Sequence, residues 1–210
     1  MEAVEDAGQT IGLRERKKER TRQTLAAVAA ELFDRQGFQD TTIKQIADAA
    51  EVSPRTVSAY FPAKEQLVFS EHEQMFDQLE VRMDQRPEDE PVADALRTWL
   101  GEILEEHEPH RKQSQRVRAL IDSDPALRTY ERGLQERAEQ ILAAAVAKDL
   151  GLDADDLVPH MVGAATIAAL DAVGRRTEDD SPEQIEATAR GVIDDAMVFI
   201  GAGVQALARR

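Results

Sequence analysis

Only two residues, Glu51 and Val52, separate the end of one short helix pattern from the start signal of the next. The first pattern opens on Thr42-Ile43-Lys44-Gln45, a hydroxyl at the N-cap with Gln three residues on, which is a capping box. Ile43, Ile46, Ala47 and Ala50 give it an apolar side, and it ends near Ala50. The second opens on Ser53-Pro54, an N-cap hydroxyl followed by the one helical position where proline is favoured. Val57 and Phe61 stand four apart on its apolar side, and Pro62 stops it. A longer helix comes first, with Leu25, Val28, Ala29, Leu32 and Phe33 in one stripe and Gly37 as its terminator. Two short helices on so tight a turn, behind a longer one, predict a helix-turn-helix.

That arrangement makes specific demands. The second short helix must be held by its rear face and must show polar residues at its N-terminal end. Val57 and Phe61 serve the rear, which leaves Arg55, Thr56, Ser58 and Ala59 on or near the front. The Arg55 guanidinium suits guanine O6 and N7, a contact worth about 1–3 kcal/mol of base discrimination. Thr56 offers a methyl and a hydroxyl, while Tyr60 and Lys64 are placed for phosphates at the far end. Upstream, Arg14 to Arg22 holds six basic residues (Arg14, Arg16, Lys17, Lys18, Arg20 and Arg22) against Glu15 and Glu19. Such an arm neutralises phosphates or enters the minor groove. The same run also reads as a solvated helix start laced with i, i+4 ion pairs.

Charge supports a division of labour. The chain carries 26 basic and 41 acidic residues, net −15. From residue 11 to 65 there are 10 basic and 8 acidic residues, net +2; from 66 to 210 there are 16 and 30, net −14. So acidic a surface repels nucleic acid, and binding must be confined to the N-terminal quarter. With no cysteine, a disulfide scaffold, a thiolate metal site and a Cys nucleophile are excluded. The longest uncharged run, residues 157–170, is too short to span a membrane, and the acidic start is no secretory signal, so a cytoplasmic protein is expected.

Beyond residue 64 the patterning stays helical. Aromatics are 4% and no period-2 alternation is sustained, so the fold class expected is all-α with about nine helices. Helices are predicted from Lys64 to Met83, from Val92 to His107, from Arg111 to Ile121, from Pro125 to Leu150 with Gly151 as cap, from Asp153 to Thr177, and after Ser181-Pro182-Glu183-Gln184. The organisation expected is a disordered segment 1–13, a helix-turn-helix domain 14–65 and a larger helical bundle 66–210 for ligand binding and dimerisation. The last two helices are dense in Ala and Gly with broad apolar faces, which suits burial on two sides. Ala165, Ala169, Val173, Ile185, Val192, Ala196 and Ile200 are the interface candidates; plain internal packing is the competing reading. Trp99, Ile103, Val117, Leu120, Tyr130, Leu134 and Met161 are candidate walls of a ligand pocket, although an apolar stripe needs no ligand. No metal site is read. His107 and His110 flank Pro109 at a solvated helix end, and Asp153-Ala154-Asp155-Asp156 lacks the Gly and Glu of a calcium loop.

Residues 21–67 resemble the DNA-binding domain of the TetR family. The stretches that carry this are Leu32-Phe33-Asp34-Arg35-Gln36-Gly37-Phe38, Thr41 to Ala47, Ala50-Glu51-Val52-Ser53 and Tyr60 to Leu67. The resemblance implies a homodimer on double-stranded operator DNA and, as in most members, repression relieved by a small-molecule effector; no cofactor is expected. It places Thr42, Tyr60 and Lys64 on the DNA backbone and Arg55, Thr56 and Ser58 toward the groove. Departures are Glu51 where the family often has Gly, Ser58 where many members have Tyr, Ala63 for a common Ser, and Arg55 for a small residue. Arg116 to Arg128 resembles the C-terminal domain of mycofactocin-type members, associated with acyl-CoA; Arg116, Arg118 and Arg128 would then meet phosphates or, alternatively, pair with nearby acids. The readings in competition are an all-helical enzyme, for which no nucleophile, Walker or dinucleotide motif is present, and a protein-interaction module, against which the basic arm argues.

Overall fold

The computed structural model describes residues 12–107, 111–176, 191, 194–195, 198 and 201–206. Among these residues there are helices and no strand. The chain divides into two compact units between Ser70 and Glu71.

The first unit holds α1 (Leu13–Gln36), α2 (Ile43–Ala49), α3 (Pro54–Tyr60) and a 3₁₀ turn, η1 (Lys64–Leu67). Its core is Leu25, Ala29, Leu32 and Phe33 of α1 with Phe38, Ile46, Ala47, Val57, Phe61, Leu67 and Phe69. The predicted cap chemistry is present. Thr42 and Gln45 close the capping box, and Ser53 Oγ accepts from the Thr56 N–H at 3.0 Å. The single helix predicted from Lys64 to Met83 is instead two elements. Leu67, Phe69 and Ser70 are all buried, and one helical face cannot bury residues at i, i+2 and i+3 together. The chain turns at Val68 and α4 begins at Ser70.

The second unit contains α4 (Ser70–Asp84), α5 (Val92–His107), α6 (Arg111–Ser123), α7 (Pro125–Leu150) and α8 (Leu157–Arg176), with residues 201–206 also helical. Leu79, Met83, Val92, Ala95, Leu96, Trp99, Leu142, Ala145, Val146 and Val204 form its core. Asp124 caps α7, and Gly151 ends it in the left-handed region at φ 64°. The next helix starts at Leu157, not at the predicted Asp153. Asp153 Oδ1 accepts from the Asp155 N–H at 3.0 Å and Asp156 Oδ2 from the Asp153 N–H at 3.1 Å. These local bonds hold a turn in competition with helix. Arg86 is buried and donates to Asp149, to the Ala145 carbonyl and to the Glu90 carbonyl, tying the α4–α5 loop to α7. No described helix is long and apolar enough to cross a membrane.

Candidate nucleic-acid interface

The turn between α2 and α3 is made by Glu51 at φ 55°, a left-handed conformation in a residue with a Cβ. A strain of about 1–2 kcal/mol is expected there. The Val52 N–H donates to the Ala47 carbonyl at 2.9 Å and closes the turn. It delivers Ser53 to the head of α3, where the cap sets the helix axis.

On α3 the two faces are cleanly separated. Val57 is 0% exposed and Phe61 1%, whereas Arg55, Ser58 and Ala59 are exposed. Thr56 is half-buried, and its hydroxyl lies 2.8 Å from Ser53 Oγ, so the cap already engages it. Thr42 stands exposed at the head of α2 with its hydroxyl donating to Gln45 Oε1 at 2.9 Å. Tyr60 is half-buried at the end of α3.

Lys64 departs most from the expectation that it is a displayed phosphate ligand. Its ammonium donates to the carbonyls of Phe38 at 2.8 Å and Thr41 at 3.0 Å, and sits 4.1 Å from the Phe38 ring centroid. Two of its three donors strap η1 to the α1–α2 loop. One is left for another acceptor.

The basic segment is not a separate arm: Arg14, Arg16, Lys17, Lys18 and Arg20 are exposed on the first turns of α1. Arg22 marks where that helix leaves the bundle. Its guanidinium lies 4.6 Å from the Phe61 ring centroid and donates to the Tyr60 carbonyl at 3.4 Å. Steps of four and three run from Arg14 through Lys18, Arg22, Leu25 and Ala29 to Leu32, so the core-facing stripe of α1 turns cationic at Arg22. From Arg22 back to Arg14 the helix projects about 12 Å. By sequence Arg22 is one charge among six. Its role as the clamp between α1 and α3 depends on tertiary contact with Phe61, for which the sequence holds no signal.

In the second unit the ligand-pocket candidates scatter. Trp99 and Ile103 line one groove between α4 and α5, of about 680 Å³, with Asp77, Gln78, Val81, Arg82, Gln85 and Glu102. Val117 and Leu120 are half-buried on α6, and Leu134 is core. Tyr130 donates to Glu73 Oε1 at 2.5 Å, tying α7 to α4. Met161 is 57% exposed on α8. Arg118 donates to Asp122 and Glu131, both at 2.7 Å, and Arg128 donates to the Asp122 carbonyl at 3.0 Å. The bond to Asp122 pushes the Arg118 guanidinium above its usual range, and the same bond holds the Asp122 carboxyl below its own. Of the interface candidates, Ala165 is exposed and Ala169 half-buried. Val173, Ile185, Val192, Ala196 and Ile200 lie outside the described side chains, as do His107 and His110.

Comparison with known proteins agrees with this geometry. The sequence profile of bacterial regulatory proteins of the tetR family matches residues 25–70, and that of the MftR C-terminal domain matches residues 90–204. The HTH-type transcriptional regulator TcmR of Streptomyces glaucescens is 32% identical over 171 residues, 78% of this chain and 74% of TcmR. MftR of Mycobacterium tuberculosis, a regulator ascribed to mycofactocin biosynthesis, is 28% identical over 91% of this chain and 95% of its own length. Among solved structures, Salmonella enterica GusR superposes with a TM-score of 0.58 at 18% identity, covering 89% of this chain and 96% of GusR. The helix-turn-helix at one end, the MftR-type bundle at the other and the relatives that span both have one reading: the chain belongs to the TetR family of bacterial transcriptional regulators.

Proposed function

We propose that this regulator binds a pseudo-palindromic operator as a homodimer and leaves it when a small hydrophobic effector enters the second unit. It would act in the cytoplasm as a repressor, without catalysis. The observation that carries the reading is the two-faced α3, with Val57 and Phe61 sealed inside and Arg55 and Ser58 turned out. In this reading Arg55 reads a base, the methyl of Thr56 and the short Ser58 shape the groove contact, and Thr42 and Tyr60 meet phosphates. Arg14, Arg16, Lys17, Lys18 and Arg20 neutralise further phosphates along the projecting turns of α1, and Lys64 has one donor for the backbone. The DNA-binding part is residues 14–65 and the remainder binds ligand and dimerises. An acyl-CoA effector is supported less well, because Arg118 and Arg128 are already engaged by acidic residues and a carbonyl.

Footprinting on the DNA upstream of its own gene tests this. The expected result is a two-fold protected site whose affinity falls steeply with salt. Arg55→Ala should relax preference at one base pair per half-site. Arg16→Ala should weaken all sequences alike and make the salt slope shallower by about 1 for each phosphate no longer neutralised. Absence of protection at low salt, or the same uniform weakening from both variants, contradicts the assignment.

A further inference from the structure

We infer that the groove between α4 and α5 takes an uncharged, ring-bearing ligand that offers a hydrogen-bond acceptor to Trp99, and that it rejects polyanions. This rests on the reading above, that the second unit binds an effector, and it names the class of that effector.

Three observations converge. The first is an unanswered donor. Trp99 is 5% exposed, and its Nε1–H is buried with no hydrogen-bond partner among the described residues. Buried indole N–H groups almost always find one. The second is location. The same indole lines the groove, whose apolar walls are Val81, Trp99 and Ile103 and whose volume of about 680 Å³ suits a small organic molecule. The third is charge. The lining holds two carboxylates, Asp77, which Arg137 pairs at 2.7 Å, and Glu102, against one guanidinium, Arg82. That guanidinium is held by Glu90 at 2.5 Å. Among the described residues no cation remains in the lining for a phosphate or carboxylate, and Glu102 is exposed on it. A ligand with flat apolar surface would stack on the walls. A carbonyl on its edge would satisfy the donor once side chains part from the indole edge.

Equilibrium dialysis with the full chain separates the claims through three probes of one shape. These are 9-fluorenone, with a carbonyl; fluorene, without one; and fluorene-2-carboxylate, an anion. The expected order is fluorenone tightest, with fluorene weaker by roughly tenfold, a hydrogen bond's worth of affinity, and the carboxylate weaker again. Trp99→Phe should erase the preference for fluorenone over fluorene while leaving fluorene binding intact. Should Trp99→Phe fail to fold, Val81→Arg blocks the groove from an exposed position and should abolish binding of both. Trp99 is the sole tryptophan, so wild-type emission must also shift on binding fluorenone. Equal affinity for fluorenone and fluorene, preferred binding of the carboxylate or of lauroyl-CoA, a polyanion dialysed as a fourth ligand, or no binding of any probe overturns the inference. Footprinting without ligand is scored separately. A protein that protects DNA but ignores the carbonyl keeps its function and loses this ligand class, whereas one that binds fluorenone without protecting DNA does the reverse.

Discussion

Glu51 concentrates two penalties in one side chain. Its backbone lies at φ 55°, where a Cβ is unfavourable, and its carboxylate stands exposed beside the proposed DNA-facing helix. The two separate by substitution. Glu51→Gln removes charge and keeps the Cβ, so it should leave thermal unfolding unchanged. It should tighten DNA binding about two- to threefold at low salt, the worth of one charge seen through water at close range. Glu51→Gly should do the same and also raise the melting temperature, because left-handed backbone suits glycine. Melting curves and gel shifts on the same preparations check both. A Glu51→Gln protein with wild-type affinity at every salt concentration would place the turn away from DNA. Lys64 teaches a complementary lesson. Its type and position suggest a phosphate ligand, yet its ammonium is mostly occupied by the carbonyls of Phe38 and Thr41. Which acceptor a lysine finds is decided by chain segments more than 20 residues away, and no local pattern encodes that.

At the scale of elements, α7 and α8 pack at one point backbone against side-chain-free backbone. A Cβ built on Gly163 would lie 2.6 Å from the Glu139 carbonyl oxygen and 3.3 Å from the Ala143 nitrogen. Both neighbours are main chain, so the helices themselves must part. Gly163→Ala is expected to destabilise by about 1–3 kcal/mol. Gly133→Ala, exposed on α7 with nothing within 4 Å, should stabilise by about 0.5–1 kcal/mol. Denaturant unfolding of the pair should give opposite signs, and equal signs would refute close packing at Gly163. The α4–α5 loop makes a pH prediction. The hydrogen bond from Arg82, with Arg86 nearby, holds the Glu90 carboxyl below its ordinary 4.5. A carboxyl lowered in the folded state stabilises above its unfolded pKa and loses that contribution as pH falls through the folded one. Glu90→Gln should therefore lower the melting temperature at neutral pH, and its melting temperature should fall less steeply than the wild type's below pH about 4.5. Parallel curves would show that the pair adds nothing. The helices legible in the sequence are those with local signals: Thr42 with Gln45, Ser53 with Pro54, Asp124 with Pro125 and Gly151. Two boundaries differ from the expected ones. The break at Val68 comes from burying Leu67 and Phe69 together, and the late start of α8 comes from carboxylates that cap a turn.

For the molecule as a whole, the proposed two-fold operator requires one α3 to become two on a single duplex. Leu157 is 74% exposed and Met161 57%, one turn apart on α8, and Ala165, Ala168 and Ala172 continue the same outward line. An apolar stripe of five residues left to water on a helix otherwise packed against α7 has the character of an interface. Helical spacing alone does not separate it from an inner wall, because α8 is apolar on both sides, and so the sequence points Met161 at a pocket. We propose that this stripe is the two-fold contact. Replacing Leu157 and Met161 together by Asp and Arg touches nothing in the described core, so the monomer should fold with an unchanged far-ultraviolet spectrum. Sedimentation should then show a single chain where the wild type sediments as two. The consequence for DNA follows from counterions. A dimer neutralises twice the phosphates of one protomer, and the logarithmic salt slope scales with that number, so the slope should halve. Affinity for a lone half-site should be retained, while the gain from the second half-site, spaced about 34–36 Å along the duplex, should vanish. If the doubly substituted protein stays dimeric, the contact lies elsewhere on the chain. If it is monomeric yet keeps the full slope, the phosphates are being counted by one protomer, and the two-fold operator itself must be given up.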